Sequence, residues 1–343
     1  MSYYSQENHG PYELFDLGDL KLRLGGVIPN CQLAYSTLGT LSPAKDNVVL
    51  ITTWWSGTSK IMEQVYTGAG RALDPANHFI IIANQLGCGI GTSPNTAPAA
   101  IAKGKFPALS IADDVAAQHR LVTEKFGIQE LALVFGGSMG AQQSFEWAVR
   151  HPGMVKRAAA LAGTAKCSAH CALFAGTLAD ALRADPHFNG GDYQSSEQMA
   201  GGLNAVAGLM AVTGWCGPFY EHELWKPLGF ESVDAFVMNF MRGYFGPMDP
   251  NVLIGEARKW QGHDVAHGGD LAAALRTIKA KVLIMQIEND LMFPLADCER
   301  DHKMIPGSQL RVIRSHSGHL GLFAIEPDYS PQFDTFVREL LAA

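Results

Sequence analysis

A serine flanked by glycines stands where an apolar run gives way to a helical pattern. The run Leu131–Gly137 reads LALVFGG, and Ser138, Met139 and Gly140 follow it directly. This is the small-x-Ser-x-small pattern of a tight strand-to-helix turn, in which glycines remove the clashes around a strained serine. The turn would project the hydroxyl above a sheet and leave the Met139 amide free to donate to an oxyanion. The pattern favours Ser138 as a nucleophile over an ordinary turn built from small residues.

A nucleophilic serine needs a base, and the base needs an acid that orients it. In one recurrent arrangement these follow in the order Ser, Asp or Glu, His, each just after a sheet strand. Asp290 follows the apolar run Lys281–Ile287, and His319 follows the run Leu310–His316. The order and spacing predict Asp290 as the orienting acid and His319 as the base.

Other residues could compete for these roles. Glu288 also follows a strand, but Asp290 lies further into the loop, and His316 ranks second because no glycine precedes it. The His and Asp residues of the stretch 261–270 follow no strand. Cys167, His170 and Cys171 fall on one helical face without a second ligand pair, which favours a structural role. The G-x-G of residues 87–91 lacks the context of a nucleotide site. We therefore expect no metal and no cofactor.

The elements that must position these residues are read from apolar periodicity. Continuous apolar runs predict buried strands with both faces covered, at 47–53, 78–84, 131–137, 157–163, 281–287 and 310–316. Helical patterns separate several of them, including one from the N-cap Ser110 to Gly127. Cys31–Leu41 alternates and predicts an antiparallel edge strand. The chain is therefore expected to be an α/β protein, with a mostly parallel sheet and helices on both faces.

The middle of the chain differs from its two ends. Strand runs disappear between Thr164 and Leu275, and the stretch is rich in Ala, Gly, Met and aromatic residues. We expect a core formed by residues 1–163 and 276–343, with residues 164–275 inserted as a helical lid. In open α/β folds such an insertion can cover the carboxyl edge of the sheet, where ligands bind.

Composition restricts the partners. The net charge is −7 and the pI about 5.9, with no long basic run, so nucleic acid is not an expected partner. No apolar segment approaches the roughly 20 residues that span a bilayer, so no membrane association is expected. The beginning of the chain lacks a signal-peptide pattern and the six cysteines are scattered, which favours the cytoplasm.

At several places the chain resembles the homoserine O-acetyltransferase family of α/β-hydrolase proteins. The resemblance rests on GGSMG…EWAVRHP, on GGDY at 190–193, on ENDLMFP, on SGHLGLF and on stretches near residues 33–50, 84–94 and 104–128. It implies the α/β-hydrolase fold with Ser138 as acyl-accepting nucleophile, Asp290 as orienting acid and His319 as base. It also implies a helical lid and a homodimer formed through that lid.

The chain departs from the family pattern around the expected site. Family transferases usually carry H-A-L-T-G after the second strand, whereas this chain has Thr53-Trp54-Trp55-Ser56-Gly57. The Trp55 amide can still complete an oxyanion hole with Met139, because the backbone performs that task. The indoles of Trp54 and Trp55 should make the substrate pocket apolar. Phe219 and the methionines of the insertion either add to that pocket or only pack within the lid.

The other two departures concern charge. Leu320 occupies the position after the histidine where transferases usually hold an Asp for the ammonium group of the substrate, and Pro247 aligns with the lid arginine that anchors its carboxylate. Arg242 is a possible substitute for that arginine. A buried unpaired ammonium group costs several kcal/mol, so loss of these contacts favours an uncharged substrate. We expect a serine esterase for small acetate esters, with Trp54 and Leu320 contacting the substrate. The alternatives are an O-acetyltransferase that acetylates homoserine or another alcohol from acetyl-CoA, and a non-catalytic binding protein.

Overall fold

The central feature of the computed structural model, which describes residues 3–343, is an eight-stranded sheet. Its order is β1-β2-β4-β3-β5-β6-β7-β8; β2 pairs antiparallel with β1 and β4, and all other neighbours are parallel. The predicted α/β class with a mostly parallel sheet is confirmed. The strands are β1 (Glu13–Lys21), β2 (Val27–Leu38), β3 (Val48–Thr52), β4 (Phe79–Ala83), β5 (Leu133–Gly137), β6 (Arg157–Leu161), β7 (Lys281–Ile287) and β8 (Gln309–Ile313).

The strands at the centre of the sheet are covered on both faces. Every residue of β3, β4 and β5 is buried, as the continuous apolar runs predicted. Strand β1 was not predicted, because most of its residues are at least partly exposed and its apolar pattern is weak. It extends the antiparallel edge by pairing with β2, which contains most of the predicted edge strand.

Helices lie between the strands and fill the interval between β6 and β7. The α-helices are α1 (Gln6–His9), α2 (Ser59–Tyr66), α3 (Ile111–Arg120), α4 (Met139–Arg150), α5 (Ala169–Arg183), α6 (Ala200–Thr213), α7 (Gly217–Glu221), α8 (Val233–Phe236), α9 (Arg242–Phe245), α10 (Pro250–Gln261), α11 (Leu271–Leu275), α12 (Leu295–Met304) and α13 (Tyr329–Ala342). Short 3₁₀ segments occur at Lys103–Lys105, Asn189–Gly191 and Gly318–Phe323, and π-helical turns at Leu121–Lys125 and Val237–Met241. Within residues 3–343 no helix combines the length and apolar character needed to cross a membrane.

The helices between β6 and β7, which we call the insertion, are joined to the rest of the chain by a buried cluster of ionisable side chains. Lys259 of α10 donates to the Asp114 carboxylate of α3 at 2.8 Å, to the carbonyl of Leu86 at 2.9 Å, and lies 3.0 Å from the carboxylate of Glu256. All three ionisable side chains are buried. Loss of the lysine would leave the buried carboxyl groups of Asp114 and Glu256 without their cationic partner, so this cluster ties α10 to α3 and to the loop after β4.

Candidate active site

Ser138 occupies a strained turn between β5 and α4. Its φ is 55° and its ψ is −122°, a conformation that costs free energy for a residue with a Cβ. The backbone N–H of Ser138 donates to the carbonyl of Leu161 on β6 at 2.8 Å, which continues the pairing of the two strands by one residue. This bond and the start of α4 hold the serine in its turn.

The glycines on either side of the serine permit the close approach of β3. A Cβ on Gly136 would lie 2.3 Å from the side-chain oxygen of Thr52, and one on Gly140 would lie 2.7 Å from the Thr52 carbonyl oxygen. The Thr52 hydroxyl in turn donates to the carbonyl of Gly140 at 2.9 Å. The small residues at positions 136 and 140 therefore have a steric cause in this fold, which is the contact with Thr52 of β3.

The structure brings Ser138, Asp290 and His319 together at the carboxyl edge of the sheet. His319 Nε2 lies 2.9 Å from Ser138 Oγ, and His319 Nδ1 lies 2.8 Å from Asp290 Oδ2. The second oxygen of Asp290 accepts from the backbone N–H groups of Met292 and Phe293 at 2.8 and 2.9 Å. With the imidazole proton on Nδ1, Nε2 is free to accept the proton of the serine hydroxyl.

The competing residues lie elsewhere. Glu288 and His316 are exposed, and the His316 ring packs on His222 at 4.7 Å. In the stretch 261–270, His267 lies 2.8 Å from the buried carboxylate of Glu146, away from Ser138. Cys171 is buried and accepts from the indole of Trp260. Within residues 3–343 no group of three His, Cys, Asp or Glu side chains is arranged to hold a metal ion.

The two amides expected to form an oxyanion hole are available. Neither the Trp55 nor the Met139 backbone N–H donates a hydrogen bond to any acceptor in residues 3–343. Met139 is the first residue of α4, where a helix leaves its N–H groups unpaired. The Trp55 side chain is held separately, because its indole N–H donates to the carbonyl of Leu253 on α10 at 3.0 Å.

A small cavity of about 30 Å³ opens onto Ser138 and His319. Trp54 and Leu320 line it, as expected, and Trp55 does so as well. Within residues 3–343 no Asp, Glu, Lys or Arg side chain contributes to its wall. The lining residues, most of them apolar, are Trp54, Trp55, Ser56, Ser138, Met210, Phe240, Met241, Tyr244, Phe245, Trp260, Met292, His319, Leu320, Leu322 and Phe323.

Several wall residues were not found from the sequence, and one suggested residue lies elsewhere. Phe240, Tyr244 and Phe245 come from the insertion, whose placement over the sheet no local pattern encodes. The Tyr244 hydroxyl lies 3.2 Å from Ser56 Oγ, and burial raises the pKa of this phenol, so it stays neutral. Phe219, considered for the pocket, stacks on Trp215 at 4.2 Å and does not line the cavity.

Neither position considered for a carboxylate anchor contributes to the cavity. Pro247 is exposed and lines a separate surface groove. Arg242 does not line the cavity; one guanidinium nitrogen contacts the sulfur of Met238, and Nε is buried without a partner among the described residues. The cavity wall therefore offers no cation to a substrate carboxylate and no carboxylate to a substrate ammonium group.

Comparison with known proteins agrees with this fold. Residues 48–324 match the α/β hydrolase fold family, and the chain belongs to that family. Over its whole length it is 50% identical to an ethyl acetate hydrolase of Pseudomonas veronii, covering 99% of that protein. It is also similar to the crystal structure of an acetylester hydrolase from Corynebacterium glutamicum, at 49% identity and a TM-score of 0.98, covering 100% of this chain and 99% of that one.

The transferase resemblance is confirmed at a greater distance. A homoserine O-acetyltransferase of Trichormus variabilis is 33% identical over 87% of this chain and 86% of its own length. The chain therefore lies in an esterase-like branch of the homoserine O-acetyltransferase group.

Proposed function

We propose that this protein hydrolyses acetate esters of small, uncharged alcohols through an acetyl-enzyme on Ser138. The observation that carries the proposal is the hydrogen-bonded chain Asp290–His319–Ser138, which opens onto a cavity whose described lining contains no Asp, Glu, Lys or Arg side chain. The similarity to an ethyl acetate hydrolase and an acetylester hydrolase, at about 50% identity, supports the same reaction.

In the proposed mechanism, Ser138 Oγ attacks the ester carbonyl while His319 Nε2 takes the hydroxyl proton. The amide N–H groups of Trp55 and Met139 donate to the oxyanion of the tetrahedral intermediate. The imidazolium, oriented by Asp290, passes its proton to the departing alkoxide, and the alcohol leaves. Water then attacks the acetyl-enzyme with His319 as base, and acetate is released as the serine regains its proton.

The second candidate, acetyl transfer from acetyl-CoA to homoserine, is disfavoured by the cavity wall. Homoserine carries an ammonium and a carboxylate group, and burying either without a partner costs several kcal/mol. Leu320 and Trp54 offer neither a charge nor a hydrogen-bonding carboxylate to such a substrate.

The test compares two acceptors of the acetyl group. The purified protein is given ethyl acetate, with acid release as the readout, and separately acetyl-CoA plus homoserine, with free thiol as the readout. We expect hydrolysis without homoserine-dependent thiol release. Ser138→Ala should lower hydrolysis by about 10⁵-fold or more, whereas Ser195→Ala, at an exposed serine of the insertion, should not change it. Homoserine-dependent thiol release, or full activity of Ser138→Ala, would overturn the proposal.

We also infer how the chain is divided into domains and that it forms a homodimer. Residues 1–163 and 276–343 form the catalytic core, and residues 164–275 form a lid that also provides the dimer interface. Leu173, Val212 and Met238 of the insertion are 71%, 71% and 52% exposed, which supports burial against a second copy. Sedimentation of the wild type and of Val212→Lys tests this, with a dimer expected only for the wild type.

The six free thiols favour a reducing compartment such as the cytoplasm, which cell fractionation tests.

A further inference from the structure

The loop that carries His319 lies outside the sheet. Strand β8 ends at Ile313, and residues 314–317 then run to the 3₁₀ segment that begins at Gly318 and contains His319. No strand ladder fixes this stretch, so its shape must come from side chains around it. A catalytic imidazole requires such support, because a misplacement of about 1 Å can cost about 10²-fold in rate.

One carboxylate gathers the polar groups of this loop. Glu326 Oε1 accepts from the hydroxyls of Ser315 and Ser317, each at 2.6 Å, and the backbone N–H of His316 lies 3.0 and 3.1 Å from the two oxygens of Glu326. The Ser315 hydroxyl also accepts from the N–H of Ser317 at 3.0 Å. Distances of 2.6 Å are those of hydrogen bonds to a charged acceptor. Three successive residues are thereby bound to one side chain.

Contacts on the other sides of the loop complete the arrangement. Gln332 of α13 receives the N–H of Arg314 at 2.9 Å and donates to its carbonyl at 3.1 Å. From the insertion, the Cys216 thiol donates to the carbonyl of His316 at 3.0 Å. The loop therefore has an anchor at its beginning and one on the lid side, and Glu326 holds the part between them.

We propose that Glu326 is a positioning residue that keeps His319 within hydrogen-bond distance of Ser138. The proposal rests on the proposed function, because it assigns His319 the role of base. Glu326 acts through the loop and touches neither substrate nor reacting atoms. The interaction needs a carboxylate, because all three groups that face it donate hydrogen bonds. A glutamine whose oxygen takes the place of Oε1 would turn its N–H donors toward the backbone N–H of His316, which is itself a donor.

The test measures turnover per active site in six proteins: wild type, Glu326→Gln, Glu326→Ala, Ser317→Ala, the double variant Glu326→Gln/Ser317→Ala and Glu339→Gln. Glu339 is a matched control because it is also a glutamate near Glu326 in the sequence. Unlike Glu326 it is exposed, and its one ion pair, with Arg311, is long at 3.8 Å. The amount of a fluorophosphonate that has reacted covalently with the protein at completion counts the active sites, so a fall in the folded fraction does not enter kcat. Steady-state hydrolysis of ethyl acetate then gives kcat and KM.

We expect kcat per active site to fall about tenfold in Glu326→Gln and about 10²-fold in Glu326→Ala, with KM within about twofold of the wild type. Glu339→Gln should behave as the wild type. Ser317→Ala, which keeps the carboxylate of Glu326, should also lower kcat. The same substitution should lower kcat by a smaller factor in a protein that already carries Glu326→Gln, because the two side chains act together.

The outcomes separate this inference from the proposed function. If Ser138→Ala abolishes hydrolysis while Glu326→Gln and Ser317→Ala both keep the kcat of the wild type, Glu326 has no positioning role and the esterase proposal stands. If kcat is unchanged and only the number of active sites falls, the role is structural and the inference is likewise overturned. If Ser138→Ala remains active, the proposed function itself fails.

Discussion

The backbone N–H of Leu320 donates to the carbonyl oxygen of Gly214 at 2.9 Å. This bond joins the residue directly after His319 to the end of helix α6 in the insertion. The two residues also pack closely, because a Cβ on Gly214 would lie 2.8 Å from a methyl carbon of Leu320. Leu320 therefore links the loop that carries His319 to the insertion that lines the cavity, so a substitution at residue 320 affects both.

Leu320→Asp should impair the esterase through charge. The new carboxylate would lie in an apolar wall beside His319, where the described lining residues offer no cation to pair it, and burying an unpaired charge costs several kcal/mol. We therefore expect kcat/KM for ethyl acetate at pH 7 to fall about tenfold or more. Leu320→Asn, similar in shape but uncharged, should lose less activity. Equal losses in the two variants would show that the charge at residue 320 is not the cause.

The size of the cavity predicts acyl-chain selectivity. The cavity leaves about 30 Å³ open among large aromatic side chains, so long acyl chains should fit poorly. Each methylene that does not fit costs about 1–3 kcal/mol of transition-state binding, so ethyl butyrate should be hydrolysed at least about tenfold less efficiently than ethyl acetate. Phe240→Ala, which removes part of the wall, should narrow that difference. Equal kcat/KM for the two esters would contradict this prediction.

Gly140→Ala should destabilise the serine turn despite the usual helix preference for alanine. Its Cβ would lie 2.7 Å from the backbone oxygen of Thr52, and a backbone neighbour cannot rotate away. The overpacking cost of about 1–3 kcal/mol exceeds the gain of up to about 1 kcal/mol from replacing glycine in a helix. We expect a lower free energy of unfolding in urea and a lower kcat.

Gly153→Ala is the control for that prediction. A Cβ at Gly153 would meet nothing within 4 Å, so both stability and activity should stay near those of the wild type. Equal stability of the two variants would mean that β3 is not held against the serine turn as described.

The buried cluster around Lys259 predicts a pH dependence of stability. Burial raises the pKa of Glu256 to about 8, and the charge of Asp114 acts in the same direction against the Lys259 ammonium. A carboxyl group that holds its proton more tightly when folded contributes stability below its unfolded pKa. That contribution is lost as pH rises through the folded pKa. The free energy of unfolding should therefore fall between about pH 4.5 and pH 8.

Glu256→Gln tests this dependence. It removes the ionisable group while keeping its size, so the decline toward pH 8 should become shallower, and stability at pH 8 should rise relative to the wild type. Unfolding curves in urea at several pH values give both quantities. A decline of the same steepness in the variant would assign the pH dependence to other groups.

Local sequence patterns indicated the sheet and the three hydrogen-bonded residues, because each of these depends on nearby residues. Continuous apolar runs mark strands buried on both faces, and parallel strands bring Ser138, Asp290 and His319 to one edge. Long-range packing accounts for what was missed. Tyr244 contacts Ser56, which is 188 residues away in the sequence, and Phe219 packs against Trp215 instead of lining the cavity. Glu326 lies in a short loop, and no sequence pattern there indicates that three hydrogen-bond donors bind its side chain.

The insertion also separates the reacting groups in the order of synthesis. Ser138 and its strained turn are made first, residues 164–275 follow, and Asp290 and His319 are made only afterwards. A nascent chain that has passed the insertion but not reached residue 319 has a serine hydroxyl with no imidazole to take its proton. The emerging polypeptide is therefore inert toward esters until His319 has been added.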